Sequence, residues 1–194
     1  MKQLLITGFT PFGDHAINPS WEAVQLLPDI VGTYALTKMQ IPTVYAEAAS
    51  AVIARAEQLG ADVILSIGLA GGRSAVTPER IAVNIRDARL ADNAGTMCNG
   101  EKIDETGPAA YFATVPVETM AQAIRDRHIP AAVSNTAGTY VCNDVLYTLL
   151  RRFDGTATRC GFIHVPQLPQ QGEPNLPLEQ IVEALTAAIA ALDL

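Results

Sequence analysis

Basic residues are scarce in this sequence and nowhere form a dense cluster. The 194 residues include 13 Lys and Arg against 20 Asp and Glu, which gives a formal net charge of −7. The densest basic group is the pair Arg151 and Arg152. Because a nucleic-acid partner requires a basic face for its phosphates, we expect no nucleic-acid binding.

Long apolar runs and cysteines are also few. No stretch approaches the roughly 20 apolar residues of a membrane helix, and the nearest one, residues 181–194, contains Glu183 and Asp193. The apolar run at residues 4–6 is too short for the core of a signal peptide. The three cysteines are an odd and sparse set, unlike the dense, even-numbered cysteines of secreted disulfide frameworks. We therefore expect no membrane contact, reduced thiols and a cytoplasmic protein.

Short apolar segments, by contrast, are plentiful in a chain that is 49% hydrophobic and 17% charged, a composition typical of globular proteins. Apolar runs bounded by turn residues predict buried strands at residues 3–7, 62–67, 130–134 and 160–165. Alternation predicts a half-exposed strand at residues 80–85. Helical spacing predicts helices at residues 43–59, 117–127, 139–153 and 178–192, with a shorter one after Asn18-Pro19-Ser20. Two polar segments are predicted loops, residues 92–108 and 167–177.

The alternation of strands and helices along the chain predicts an α/β fold. We expect a single-domain, open and twisted sheet that is largely parallel and has helices on both faces. Because no segment has the composition of a linker, the domain is expected to span residues 1–194.

Glycine-containing or polar residues occur where several predicted strands end. Ligands of parallel α/β sheets bind beyond the carboxyl ends of the strands, so these segments are expected to meet in one crevice. They are Gly8–Gly13, Gly68–Arg73, Ser134–Gly138 and His164. Gly68–Arg73 lacks the dinucleotide pattern G-x-G-x-x-G and the P-loop ending G-K-[ST], so a tight turn is the simpler interpretation of its glycines.

Cys142 lies near the start of the predicted helix 139–153. Backbone N–H groups and the helix dipole at such a position favour the thiolate, and they can contribute to an oxyanion hole. This pattern is typical of a catalytic cysteine. The alternative is a buried small hydrophobe, because Cys142 has helical spacing to Val145, Leu146 and Leu149.

His164 lies inside the otherwise apolar segment Phe162–Pro166. A lone histidine there is usually a core residue with satisfied hydrogen bonds, but together with Cys142 it suggests a nucleophile and its base. Metal binding is not expected, because no H-x-x-x-H or C-x-x-C spacing occurs.

A third group is needed to fix the tautomer of the imidazole. Glu79 precedes the predicted strand 80–85 and is one candidate. Its spacing alone does not distinguish it from Asp87, Asp92 or Asp144, and a solvent-exposed carboxylate is the simpler interpretation.

Three separated motifs surround these residues. The first is Gly8–Gly13 with Asn18–Ser20, the second runs from Gly68–Arg73 through Glu79–Asn84 to Asp87–Arg89, and the third is Ser134–Asn143 followed by Gly161–Pro166. In this order they resemble the pyroglutamyl peptidase I (pyrrolidone-carboxylate peptidase) family of cysteine peptidases, over nearly the full length of the chain.

The resemblance implies an enzyme that removes an N-terminal pyroglutamyl residue from peptides through a thioester. It implies a triad of Glu79, Cys142 and His164, with Arg89 supporting the oxyanion, and it implies no cofactor and a homotetramer. The residues similar to the family's substrate slot are Phe9, Phe12, Leu90, Tyr140 and Val141, with Leu69 beside them. For each of these, ordinary core packing is the alternative.

The sequence departs from the family pattern at three positions. Leu69 replaces a common Gln, Tyr140 replaces a common Phe, and Asp14 replaces a second Gly. The change at Leu69 keeps open a relative that binds a pyroglutamyl or lactam ligand without cleaving it. The glycine-rich loops and Arg73 keep open a nucleoside phosphorylase-like enzyme, in which Cys142 would be dispensable.

Overall fold

The computed structural model describes residues 1–193, so Leu194, the last residue of the predicted domain, lies outside the described residues. The strands of the protein are β1 (Lys2–Phe9), β2 (Ile30–Val31), β3 (Tyr34–Ile41), β4 (Val63–Leu69), β5 (Thr77–Pro78), β6 (Ile81–Val83), β7 (Arg86–Asp87), β8 (Asn99–Glu101), β9 (Ala110–Phe112) and β10 (Arg159–Val165). Its helices are α1 (Pro19–Leu26), α2 (Glu47–Leu59), α3 (Val117–Arg125), α4 (Val141–Arg152) and α5 (Leu178–Ala190), with a short 3₁₀ helix at Pro169–Gln171.

A six-stranded sheet with the order β2-β3-β1-β4-β10-β5 forms the centre of the protein. The four inner strands are mutually parallel, whereas the short edge strands β2 and β5 pair antiparallel. Every residue of β4 is buried, and so are the last six of β10. Such continuous burial is expected for parallel strands that are covered on both faces.

Two groups of helices cover the two faces. The first face packs Ile6 and Leu65 against α1, α3 and α5. The second packs Leu5, Ile64 and Phe162 against α2 and α4. Since successive side chains of a strand point to opposite faces, each central strand contributes to both cores. The predicted fold, a largely parallel α/β sheet with helices on both faces, is confirmed.

One predicted strand, residues 130–134, is wrong as a regular strand. The segment pairs with its neighbour only through the single bridges Val76↔Ala131 and Glu79↔Ser134. Pro78 has no N–H to donate to the carbonyl of Ala132, which interrupts the ladder between the two bridges.

Three further elements differ from the predictions. The strand predicted at residues 80–85 is the shorter β6, and it pairs with β9 in a separate two-stranded sheet. The loop predicted at 92–108 contains β8, which pairs with β7. Helix α2 begins at Glu47 instead of residue 43, because Thr43 is bonded through its backbone and its hydroxyl to the loop after β1 at Thr10.

The chain reverses its direction across the sheet between β1 and β4. From β1 it continues to β3 on one side, and α2 then carries it across to β4 and, later, to β10 on the other side. A crevice forms at the carboxyl ends of strands at such a reversal, and ligands of open α/β sheets bind there. The loops after β1 and β4 both border this edge.

Candidate active site

Cys142 is the second residue of α4, as expected from the sequence. Tyr140 caps this helix with an extended backbone and without a side-chain hydrogen bond, so no side-chain cap occupies the first-turn N–H groups. The positive end of the helix dipole therefore lies next to the half-buried thiol.

Gly68 allows the thiol to approach the sheet. A Cβ at this position would lie 2.9 Å from Sγ of Cys142 and 2.7 Å from Cζ of Phe162. In the sheet, Gly68 is also the register partner of His164. Phe162 and His164 point to the same face of β10, with ring centroids 4.8 Å apart, and α4 covers that face. Gly68 therefore lies beside both the thiol and the residue that carries the imidazole.

Glu79 lies against the imidazole. Its Oε1 is 2.7 Å from Nδ1 of His164, and the two residues are 0% and 4% exposed. Edge strand β5 produces this contact, because Thr77 is the register partner of His164 and the backbone N–H of Glu79 donates to the carbonyl of Phe162.

The three alternative carboxylates have other surroundings. Asp92 accepts hydrogen bonds from backbone N–H groups, including that of Tyr45. Asp144 accepts from Arg86 and from a backbone N–H, and Asp87 is exposed. Glu79 is therefore the one of the four carboxylates that the structure places on the imidazole.

Burial dominates the ionisation of the thiol and the imidazole. It raises the pKa of Cys142 to about 12, helped by the charge of Glu79 and opposed by Arg73. It also lowers the pKa of His164, although the hydrogen bond and charge of Glu79 act in the opposite direction. Burial alone would raise the pKa of Glu79, but the hydrogen bond and charge of His164, together with Arg73, bring it below its usual value. At neutral pH these directions favour a neutral thiol, a neutral imidazole and an ionised carboxylate.

Arg73 is a site residue that the sequence analysis did not assign to the triad. One of its terminal nitrogens donates to Oε1 of Glu79 at 2.7 Å and to Oγ1 of Thr77 at 2.6 Å. The other donates to the carbonyl of Thr136 at 2.9 Å. The only signal in the sequence was its position at the end of the glycine-rich loop, which suggested phosphate binding.

Asn143 and Asp144, which follow the thiol, were also missed as supporting residues. Both side chains are fully buried. Asn143 accepts from the backbone N–H of Val83 and donates to the carbonyls of Val83 and Ile85. Asp144 binds Arg86, so the first turn of α4 is fixed to the end of β6, the start of β7 and the connection between them.

Three residues of the predicted slot, Phe12, Leu90 and Tyr140, lie close to one another. The rings of Phe12 and Tyr140 are 6.0 Å apart. Leu90, which is 46% exposed, approaches Gly13 in the same loop as Phe12. The hydroxyl of Tyr140 donates to the carbonyl of Ala91 at 3.0 Å, which satisfies a group that a Phe would lack.

The other four residues predicted to support the oxyanion or bind the substrate do not lie in this group. Phe9 and Val141 are buried in the core, where Phe9 packs against Phe162. Leu69 follows Gly68 in β4, so by strand alternation its side chain points away from the face that carries Cys142. Arg89 is exposed beside Leu90.

Two kinds of feature are missing from residues 1–193. None of their helices combines the length and the apolar character that a membrane crossing requires. They hold no group of three or more His, Cys, Asp or Glu side chains that could bind a metal ion.

Comparison with known proteins identifies the family of the chain. The family model described as pyroglutamyl peptidase matches residues 2–193. The chain is 46% identical to a pyrrolidone-carboxylate peptidase of Staphylococcus aureus (strain JH9), covering 97% of this chain and 92% of the relative. It is 48% identical to one from Levilactobacillus brevis, covering 98% of this chain and 97% of the relative.

Solved structures give the same result. Pyroglutamyl peptidase I from Bacillus amyloliquefaciens superposes with a TM-score of 0.95 at 40% identity, covering 99% of this chain and 97% of the other. Pyrrolidone carboxyl peptidase from Thermococcus litoralis gives 0.94 at 36% identity, covering 100% and 94%. The resemblance carried by the three sequence motifs is confirmed, and the chain belongs to the pyroglutamyl peptidase family of cysteine-type hydrolases.

Proposed function

We propose that this protein hydrolyses the amide bond after an N-terminal pyroglutamyl residue, with Cys142 as nucleophile, His164 as base and Glu79 as the orienting carboxylate. One observation carries the assignment of roles. The buried Glu79–His164 pair, with 2.7 Å between Oε1 and Nδ1, lies on the sheet face covered by α4, the helix whose second residue is Cys142.

The hydrogen bond to Glu79 determines which imidazole nitrogen acts as the base. Because the carboxylate accepts the proton on Nδ1, Nε2 of His164 carries the free electron pair. Nε2 takes the proton of Cys142, and Sγ attacks the pyroglutamyl carbonyl carbon. The carbonyl π electrons move to oxygen, and the N-terminal N–H groups of α4, with Arg89, stabilise this oxyanion.

Collapse of the tetrahedral intermediate breaks the C–N bond. The imidazolium of His164 donates its proton to the leaving amine, and a thioester remains on Cys142. Water then attacks the thioester while His164 accepts one of its protons. When the second intermediate collapses, pyroglutamate leaves, and the proton returns to the sulfur. Glu79 offsets the imidazolium charge in both halves of the cycle.

The substrate group is a small neutral lactam without a free α-amine, so its recognition needs no carboxylate for an ammonium. A small apolar slot with a few backbone hydrogen bonds is the expected solution. Phe12, Leu90 and Tyr140 form its mouth, while Phe9 and Val141 belong to the buried core against which Tyr140 packs. Leu69 contributes through its backbone, because its side chain points to the opposite face.

The test is the release of a fluorogenic amine from a pyroglutamyl amide by the wild type and by Cys142→Ser. Cys98→Ala is a matched control, since Cys98 is also a free cysteine but lies in the loop before β8. We expect turnover by the wild type and the control, and a loss of roughly 10³-fold or more in Cys142→Ser.

The other outcomes are equally informative. Turnover that survives in Cys142→Ser would remove the cysteine mechanism but keep the substrate. A folded, reduced wild type without turnover would favour a lactam-binding relative, and turnover that depends on phosphate would favour a phosphorylase.

The proposal extends to the state of the protein in the cell. Three free cysteines support a reducing, cytoplasmic environment for the nucleophile. The single family match across residues 2–193 supports one catalytic domain, residues 1–194.

A homotetramer is supported by large apolar side chains exposed on the single chain, Leu26, Ile30 and Phe112. Light scattering at micromolar concentration tests it, and a monomer mass would overturn it.

A further inference from the structure

Arg73 joins three segments that converge at the candidate active site. It ends the loop after β4, contacts Glu79 and Thr77 at edge strand β5, and donates to the carbonyl of Thr136 in the loop that leads into α4. The nucleophile, Cys142, is on that helix. One guanidinium therefore connects the carboxylate of the triad with the segment that positions the thiol.

Glu79 needs a permanent positive partner. Its side chain is 0% exposed, Oε1 accepts from both Arg73 and His164, and Oε2 is buried without a hydrogen-bond partner among residues 1–193. An ionised carboxylate in such a place is costly unless a charged group pairs with it. His164 carries charge only while it holds the proton taken from Cys142, whereas Arg73 is always charged.

We propose that Arg73 is a positioning residue of the hydrolytic reaction. It holds Glu79 ionised and directed at Nδ1 of His164 throughout the cycle, and through Glu79 it fixes the imidazole tautomer that accepts the thiol proton. The inference rests on the proposed function, because it assigns Arg73 a part in the same Cys142–His164 chemistry.

Arg73 acts in one direction on all three triad members, through its charge on Cys142 and His164 and through its hydrogen bond on Glu79. It lowers the pKa of Cys142, of His164 and of Glu79. The other ionisable group that faces the thiol is Tyr140, from the residue before α4. Loss of Arg73 should therefore move thiolate formation, and the acid limb of activity, to higher pH.

Arg80 supplies a matched control. It follows Glu79 directly in sequence, but its guanidinium points away from the site and pairs with Glu118 and Asn135. Arg80→Gln thus makes the same chemical change one residue from the carboxylate. The test compares Arg73→Gln, Arg73→Lys and Arg80→Gln with the wild type.

Two measurements are made on each protein across pH 5 to about 10. The first is the rate of iodoacetamide alkylation at Cys142, resolved from Cys98 and Cys160 by peptide mass spectrometry. The second is kcat and KM on a pyroglutamyl amide. Alkylation does not require turnover, so it tests the inference even if the proposed peptidase activity fails.

For Arg73→Gln we expect both pH profiles to move upward by about one unit, so that the alkylation rate at each pH in this range falls by about tenfold. We also expect kcat to fall by roughly 10- to 100-fold while KM changes by less than about threefold. Arg73→Lys keeps the charge and should restore the pH profiles, with kcat still reduced because one ammonium does not reach both Glu79 and Thr136. Arg80→Gln should match the wild type in both measurements.

A purely structural role for Arg73 gives a different result. The folded fraction of Arg73→Gln would then have unshifted pH profiles, and a loss of stability would be its main defect. This result would overturn the inference. If Arg73→Gln does not fold, Arg73→Lys decides. A lower kcat per folded protein, with KM and stability equal to those of the wild type, supports the inference, whereas a lower stability with an unchanged kcat of the folded fraction contradicts it.

Discussion

Gly68 lies directly against the sulfur of Cys142, and no larger residue fits between them. A Cβ on Gly68 would be 2.9 Å from Sγ and 2.7 Å from the ring of Phe162, distances that real Cβ atoms essentially never show. The strand that carries Gly68 is buried along its whole length, so the backbone has no room to retreat. The glycine is therefore a steric requirement of the site.

We predict that Gly68→Ala displaces the thiol and the Phe162 ring. Overpacking of this kind costs about 1–3 kcal/mol of unfolding free energy and should lower kcat/KM by roughly 100-fold. Urea unfolding and hydrolysis of a pyroglutamyl amide measure the two effects. Gly71→Ala is the control, because the nearest atom to its Cβ would be 3.9 Å away. Equal behaviour of the two variants would contradict the steric argument.

Glu79→Gln tests the orientation of the imidazole. The side-chain amide keeps the shape of Glu79 but carries no charge, and its NH₂ group facing His164 would favour the tautomer with the proton on Nε2. That tautomer has no free electron pair for the thiol proton. We expect kcat to fall by roughly 10³- to 10⁴-fold with little change in KM.

Glu79→Asp separates the effect of the negative charge from that of side-chain length in the same experiment. It keeps the carboxylate but shortens the side chain by one methylene, so an intermediate kcat is expected. If Glu79→Gln retained more than about a tenth of wild-type kcat, the carboxylate would not be the orienting group.

The sequence could predict those parts of the fold and of the candidate site that depend on the pattern of apolar and polar residues along one segment. Strands β1, β4 and β10 are continuous apolar runs, and α4 has helical spacing, so the positions of Cys142 and His164 followed. Strand β3 was missed because it lies beside a two-residue edge strand and is mostly half-exposed, with polar residues such as Lys38 inside it.

The parts that sequence could not predict depend on contacts between distant segments. Glu79 and His164 are 85 residues apart, and only the pairing of β5 with β10 brings them together. The same holds for Arg73 and Thr136, which are 63 residues apart. Local spacing contains no information about such pairs, so only the family resemblance distinguished Glu79 from the other carboxylates.

The buried imidazole should make stability depend on pH. The folded-state pKa of His164 is lower than its usual 6.5, so below that value the unfolded chain binds a proton that the native protein does not. The stability contributed by neutral His164 is therefore complete above pH 6.5 and is lost as pH falls toward the folded-state pKa. The slope from this residue is at most about 1.4 kcal/mol per pH unit.

Chemical unfolding at a series of pH values from 7 to about 5 measures this slope. His164→Gln is uncharged at every pH and should unfold with a shallower pH dependence over the same range. Identical slopes for the two proteins would show that His164 is protonated equally in the native and unfolded states.

Tyr140→Phe tests whether the mouth of the slot is held by a hydrogen bond. The hydroxyl of Tyr140 donates to the carbonyl of Ala91, next to Leu90, while its ring lies 6.0 Å from that of Phe12. Removing the hydroxyl leaves the ring in place and frees only the segment at Leu90. A hydrogen bond of this type contributes about 0.5–1.5 kcal/mol, so we expect KM to rise by roughly two- to tenfold with kcat nearly unchanged.

Tyr111→Phe makes the same chemical change away from the candidate site, where the hydroxyl accepts a hydrogen bond from Arg151. Kinetics of both variants on one pyroglutamyl amide should show a raised KM for Tyr140→Phe only. A fall in kcat at constant KM would instead place the Tyr140 hydroxyl in the chemical step, because only an interaction specific to the transition state changes kcat alone. A KM equal to that of the wild type would mean that the slot closes without this bond.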